Sequence, residues 1–238
     1  MPRLPRLEYS GALYHVTARG VQQATIFIDD EDRLSLLGNF AKASRTCEAK
    51  VFAFCLMDNH YHFVLQTGQA NLSALMHRVN SVYSSTFNRR HGRCGHVFEG
   101  RFKALHVDRD AYLLEVCRYV ELNPVRAGMV VMVDQWRWSS YRSNTGTIRS
   151  PRWLATGELH GALTGMTPQD DAQTAVACRC YEQWVEDGHG ARLWKTSLRE
   201  GRYLGNEAFG EMLRQKAIRA DPRSLGIEVR LPLESRSA

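Results

Sequence analysis

The chain has 238 residues, 44% of them apolar and 24% charged, the balance of a globular protein with room for one large domain or one domain and an appendage. No apolar run reaches the roughly 18 residues of a membrane span, no repeat shows, and Met1-Pro2-Arg3-Leu4-Pro5-Arg6 lacks the apolar core of a signal peptide, so a cytoplasmic protein with no membrane partner is expected. Net charge is +6 and uneven: residues 1–143 hold 18 Lys+Arg against 13 Asp+Glu, residues 144–238 hold 13 against 12, and Arg78, Arg89, Arg90, Arg93, Arg101 and Lys103 share their stretch with one acid, Glu99. Such a cluster can hold phosphates, or can be a solvated helix end. The six cysteines form no C-x-x-C pair and read as reduced, mostly buried thiols; Cys178-x-Cys180 lacks a second ligand pair.

In chain order, Ala12 to Ala18 reads as a first strand, broken by Arg19-Gly20. Asp29 or Asp30 caps a helix to about Arg45, with Leu34, Leu37 and Phe40 on its buried stripe. Lys50 to Leu56 is a second strand, apolar enough to be central, and Met57-Asp58-Asn59 is short enough only for a hairpin turn into a third strand that ends near Thr67-Gly68. Leu72, Leu75, Met76, Val79, Val82, Tyr83 and Phe87 recur at helical spacing. After a basic loop, Phe98 to Val107 returns as a strand, and Asp108 caps a helix that Asn123-Pro124 stops, because the residue before proline avoids helical angles. The first part is therefore β-α-β-β-α-β-α, an α+β fold with an antiparallel sheet and packed helices.

Two features carry chemistry. His60 and His62 lie two apart on the third strand, so they face one side while Tyr61 faces the other; two such imidazoles can share a metal ion, or be ordinary strand histidines. On the last helix, Tyr119 and Asn123 are one turn apart on one face, with Tyr112 two turns before Tyr119. Glu121 falls off that face and is a weaker candidate.

With Tyr14-His15-Val16-Thr17-Ala18-Arg19-Gly20, Met57-Asp58-Asn59-His60-Tyr61-His62, Phe98-Glu99-Gly100-Arg101-Phe102, Arg118-Tyr119-Val120-Glu121-Leu122-Asn123-Pro124-Val125-Arg126-Ala127-Gly128 and Trp136-Arg137-Trp138-Ser139-Ser140-Tyr141, the chain resembles the single-tyrosine HUH transposases over about Pro5 to Arg142. Within them it is most similar to the REP-associated tyrosine transposases, relatives of the IS200/IS605-type enzymes. The resemblance implies a ferredoxin-like or RRM-like sheet, His60, His62 and Asn123 as metal ligands, and Tyr119 as nucleophile. It also implies a substrate of single-stranded DNA with a hairpin formed by a repetitive extragenic palindrome (REP). The metal would be Mg²⁺ or Mn²⁺, with nitrogen ligands favouring Mn²⁺.

A phenol titrates near pH 10, so the reactive phenolate costs about 4 kcal/mol at pH 7, and an ion that binds a non-bridging phosphate oxygen lowers the barrier to attack. A covalent 5′-phosphotyrosine would store the energy for rejoining, consistent with the lack of a G-x-x-x-x-G-K-[ST] loop; no nucleotide cofactor is expected. Phosphate contacts are expected from the Arg78–Lys103 segment, with Arg3, Arg6, Arg19 and Arg126 as further candidates, and base contacts from His15, Arg19, Gln22 and Gln23. A protein that binds palindromes without turning them over, or a hydrolase whose histidines activate water, would share part of this pattern.

The domain division expected is 1–143 for catalysis and 144–238 for a mostly helical extension, either DNA-binding or bracing. Its helices are expected from Thr167-Pro168 to about Asp187, from Arg192 to Glu200 and from Asn206 to Arg219, with a mobile tail from Asp221 to Ala238. The length of this extension favours a monomer over the homodimers of the short insertion-sequence enzymes.

Overall fold

The computed structural model describes residues 6–188 and 203–220. Arg3, the helix expected over 192–200 and the tail from 221 lie outside them. The sheet has five strands, β1 (Leu13–Arg19), β2 (Ala49–Leu56), β3 (His60–Thr67), β4 (Lys103–Val107) and β5 (Tyr203–Leu204), in the order β2-β3-β1-β4-β5. The first four pair antiparallel, as expected. The two-residue β5 pairs parallel to β4, so the extension adds a strand that its sequence, read as a connection between helices, did not announce.

Strand alternation sorts the core into two layers. Tyr14, Val16, Tyr61, Phe63 and Leu65 face α1 (Asp30–Thr46) and α2 (Leu72–Arg90), where Phe40 stacks on Phe63 with ring centroids 3.6 Å apart. Leu13, Ala53, Cys55, Val64 and Leu105 face α3 (Arg109–Glu121) and α7 (Asp171–Glu186). Asp29 caps α1 by accepting from the Asp32 amide. Its buried stripe is Arg33, Leu36, Phe40 and Ala43; Leu34, expected inside, is 60% exposed. The period was right and the phase was off, because Arg33 takes an inward position: it bonds Asp58 at 2.8 Å and lies near the rings of Phe27 and Trp138. On α2 the expected stripe is buried except Val82.

Two strand expectations change. The run Phe98 to Val107 pairs only from Lys103; Phe98 keeps one bridge to Gly20, and Glu99, Gly100 and Arg101 leave the ladder as an exposed loop. β2, apolar enough to look central, is the edge strand. Its apolar character is explained by a cover. The Leu56 amide donates to Trp138 O, Ser140 N to Phe54 O, Ala155 N to Val51 O, and Trp136 Nε1 to Leu56 O. The segment 136–155 thus satisfies the groups an edge would otherwise show to water.

The remaining helices are α4 (Asn123–Arg126), α5 (Tyr141–Asn144), α6 (Thr156–Thr164) and α8 (Glu207–Ala220). Pro124 sits in the first turn of α4, where its missing N–H is no loss, so the chain turns helical again directly after α3 ends. The division at 143/144 cuts α5, and Asn144 is buried with the residues before it. α7 starts at Asp171 under an Asp170 cap, slightly later than expected, and α8 matches its expected span; α6 was not anticipated.

Candidate active site

The hairpin turn before β3 is held from two sides. Gly20 N donates to Asn59 O, Ile26 N to Asp58 O, and Asn59 Nδ2 to Gln23 O, while Arg33 bonds the Asp58 carboxylate. The 20–26 loop is tight: a methyl at Gly20 would stand 2.1 Å from the Ala24 carbonyl oxygen, and Gln22 and Gln23 take positive φ of 52° and 60°. Its effect is to fix where β3 starts, and so where the histidines stand.

His60 is half-buried and His62 buried, on the α3 side of the sheet, with their rings 4.9 Å apart. Tyr61 points to the opposite layer, where its hydroxyl bonds Asn80. His15, on β1, joins the pair: its Nε2 lies 2.9 Å from His62 Nδ1, and the two rings lie nearly parallel, 7° apart, with centroids separated by 5.1 Å. It is only 6% exposed and is not the surface base reader expected from sequence. Tyr119 on α3 meets this cluster edge-on, its ring centroid 5.9 Å from that of His15 and 6.4 Å from that of His62. Burial holds His15 and His60 down to about 4, with the Arg19 charge adding to the effect at His60, and holds His62 well below the usual imidazole range. All three are neutral at pH 7, the state in which imidazole ligates metal.

The donor chemistry of the two histidines suits a divalent ion. His60 Nδ1 is 2.7 Å from Asn59 Oδ1, an amide oxygen that can only accept, so Nδ1 carries the proton and Nε2 holds the lone pair. His62 Nε2 is buried with no hydrogen-bond partner, an uncompensated position that an ion would fill. If His62 Nδ1 donates to His15 Nε2, the unpartnered Nε2 is likewise a lone pair. Asn123 gives both amide hydrogens to carbonyls of α3, Tyr119 O at 3.0 Å and Val120 O at 3.2 Å. Those acceptors fix the nitrogen's place and leave the side-chain oxygen as the atom able to ligate. Among the described residues no group of three His, Cys, Asp or Glu could hold a metal. Glu121 is excluded: its carboxylate accepts from Ser140 Oγ at 2.5 Å, Asn144 Nδ2 at 2.9 Å and Tyr181 OH at 2.9 Å, away from the histidines. Burial pushes that carboxyl up to about 7, and the three donors pull the other way.

The family model for IS200-like transposases matches residues 8–123, from just before β1 to Asn123. Residues 8–123 are an IS200-like transposase domain. A solved REP-associated tyrosine transposase bound to a REP hairpin is similar in fold to the chain that carries this transposase domain, with TM-score 0.53 and 17% identity, over 65% of this chain and 92% of that one. A tRNA(His) guanylyltransferase from Saccharomyces cerevisiae aligns over 75% of this chain and 82% of its own at 10% identity, with a TM-score of 0.39. No curated protein sequence matches. No helix among the described residues is long and apolar enough to cross a membrane.

In the transposase domain the expected cations separate into groups. Arg19 is exposed at the end of β1, opposite His60 in register. Lys103 is exposed opposite Thr17, and Arg101 lines a cleft of about 760 Å³ between α2 and the 95–102 loop with Arg6, His77, Asn80 and His96. Arg78, Arg89 and Arg93 are exposed along α2 and just after it. Arg90 does not belong with them: its guanidinium bonds Asp29, Glu31 and Asp32, so its charge ties the end of α2 to the start of α1. Beyond the family match, the Arg126 guanidinium lies 4.9 Å from the centre of the Tyr119 ring.

Proposed function

We propose that the protein is a DNA transesterase: a metal-dependent single-strand endonuclease and strand transferase that acts on hairpin-forming repetitive extragenic palindromes through a covalent 5′-phosphotyrosine. The observation that carries this reading is the approach of Tyr119 to His15 and His62 inside an IS200-like transposase domain. The Tyr119 oxygen attacks the scissile phosphorus, the bond to the 3′-oxygen breaks, and a 3′-hydroxyl leaves while the 5′-phosphate stays on the tyrosine. Attack by a 3′-hydroxyl on that phosphotyrosine reverses the step, so rejoining needs no nucleotide.

His60 Nε2, His62 Nε2 and the Asn123 oxygen would hold Mg²⁺ or Mn²⁺, which when bound supplies Lewis-acid stabilisation at a non-bridging phosphate oxygen. The chain's own groups do the rest. Asn123, bonded back to the Tyr119 and Val120 carbonyls, ties any ligand it holds to the helix turn of the nucleophile. Arg126, over the Tyr119 ring, supplies positive charge near the attacking oxygen and the phosphate, both anionic. Arg19, Lys103 and Arg101 offer the backbone of a single strand a run of cations along the sheet end that holds His60. The hairpin partner is supported by the likeness in fold to the solved complex. Two neutral imidazoles and an amide leave open positions for substrate, as a phosphoryl-transfer site needs.

The test is a 3′-labelled single-stranded hairpin DNA incubated with protein and Mn²⁺, then run on a denaturing protein gel. A labelled adduct that requires metal and is lost in Tyr119→Phe is expected. Cleavage with no adduct would point to the hydrolase, and binding with neither product nor adduct to a palindrome-binding protein.

A further inference from the structure

α3 carries Tyr119, and the two residues that flank it on the helix's other side are held by the extension. Arg118 is 7% exposed; its Nη2 bonds both oxygens of Glu115 at 2.7 and 2.6 Å, its Nη1 bonds Trp184 O at 3.1 Å, and the guanidinium lies 4.2 Å from the Trp184 ring centre. A Cβ at Gly188 would run into that side chain, so Gly188 packs directly over it. Arg118 and Glu121 share a face of α3, and Tyr119 points roughly 130° away from it at 3.6 residues per turn.

Glu121 is the more unusual of the two. It is a fully buried carboxyl with no cation among its described partners, and its three donors come from three places: Ser140 in the segment that covers β2, Asn144 in α5 and Tyr181 in α7. Those donors are themselves fixed. Ser140 Oγ accepts from Phe54 N at 2.9 Å, Asn144 Nδ2 also reaches Phe52 O at 3.2 Å, Thr156 Oγ1 donates to Asn144 Oδ1 at 2.9 Å, and His160 Nε2 donates to Asn144 O at 2.7 Å. Ser140, Asn144, His160 and Tyr181 are all at most 0% exposed, so water does not compete. An apolar residue would fill this space at less cost than a buried carboxyl; what the carboxyl adds is direction, since each donor has one place to aim.

We infer that Glu121 is a positioning residue: its contacts with Ser140, Asn144 and Tyr181 fix the azimuth of α3, and through it the height of the Tyr119 oxygen over the histidine cluster. The extension after residue 143 thereby acts on the reaction from behind the catalytic helix. This inference rests on Tyr119 being the nucleophile. A rotation of α3 moves the phenol oxygen farther than any backbone atom, so loss of the network slows the chemical step and leaves the DNA-binding surface in place.

The experiment compares Glu121→Ala, Glu121→Gln, Tyr181→Phe and Tyr119→Phe with the parent chain in full length. It measures the melting temperature, hairpin-DNA affinity at fixed salt, and the single-turnover rate of adduct formation at saturating DNA and Mn²⁺, at a temperature where all are folded. Tyr181→Phe, which removes one hydroxyl and no volume, is the arm that stays informative if Glu121→Ala fails to fold. In Tyr181→Phe and Glu121→Ala the adduct rate is expected to fall by about tenfold or more with affinity held within about twofold, and Glu121→Gln is expected to recover part of the rate. A parent-like rate in folded Tyr181→Phe and Glu121→Gln overturns the inference. So does a loss of rate that only tracks a matching loss of affinity. An adduct that survives in Tyr119→Phe instead overturns the nucleophile assignment beneath it.

Discussion

His15 makes two demands on His62: it sets the tilt of the ring, which lies nearly parallel to its own, and it occupies Nδ1 so that Nε2 is the atom left without a partner. A ligand oriented in this way binds more tightly than one free to turn, and removal of such an outer partner typically costs 10–100-fold in metal affinity. His15→Ala is therefore expected to raise the Mn²⁺ concentration for half-maximal adduct rate by about 10–100-fold and to leave the rate at saturating metal much closer to the parent. A titration of single-turnover rate against Mn²⁺ reads both numbers. His62→Ala, which removes the ligand itself, is expected to lose the saturable response. The sequence displayed His60 and His62 because they share a strand and a two-residue period. It could not display His15, since that side chain meets His62 only through the pairing of β1 with β3, strands that are not consecutive. A polar residue alternating with apolar ones on the first strand, Leu13-His15-Thr17 facing one way, was the available signal, and it does not say which strand lies beside it.

At the scale of elements, charge holds the two helices of the Tyr61 layer together at one end. Arg90, closing α2, meets Asp29 at 2.5 Å, Glu31 at 2.8 Å and Asp32 at 2.6 Å at the start of α1. The carboxylates also lie where the α1 dipole favours anions. Hydrogen bonds and charge from Arg90 hold Asp29 down to about 2, against a usual value of 3.8. A carboxyl with a depressed folded value stabilises above its unfolded titration and loses that stabilisation as pH falls through the folded one. The melting-temperature gap between the parent and Arg90→Ala should hence be full above about pH 4 and close as pH falls toward 2, while a control such as Arg78→Ala shows no such narrowing. Reading Arg90 as a phosphate ligand followed from its place in a run of cations. The partners that claim it come from a helix some 60 residues earlier, and only their folding together reveals them. For the same reason α1, α2, α3, α7, α8 and the first three strands were legible from period and turn residues, whereas β2's place at the edge was not: a buried edge strand and a central strand have the same composition when another segment covers the edge.

On the scale of the molecule, the family match stops at Asn123, but the fold that supports it does not. Leu159, Tyr181, Val185 and Leu204 lie in the same apolar cluster as Val116, Cys117 and Val120 of α3. A chain cut after residue 143 is expected to lose near-ultraviolet circular dichroism and its cooperative melt, because that cluster opens to water on one side and the Glu121 carboxyl keeps only the Ser140 donor. Near-ultraviolet spectra and a thermal scan of the shortened chain measure this directly. The covered edge and the buried carboxyl also bear on how such a domain can be exchanged between proteins. A graft of residues 8–123 onto another scaffold would carry Tyr119, His60, His62 and Asn123, together with a buried carboxyl whose donors at 140, 144 and 181 stay behind. Any host that received it would have to supply three hydrogen-bond donors aimed at one point and a strand-like cover for β2. The portable unit of this protein is therefore set by where its buried polar atoms find partners, and it runs at least to the end of α7.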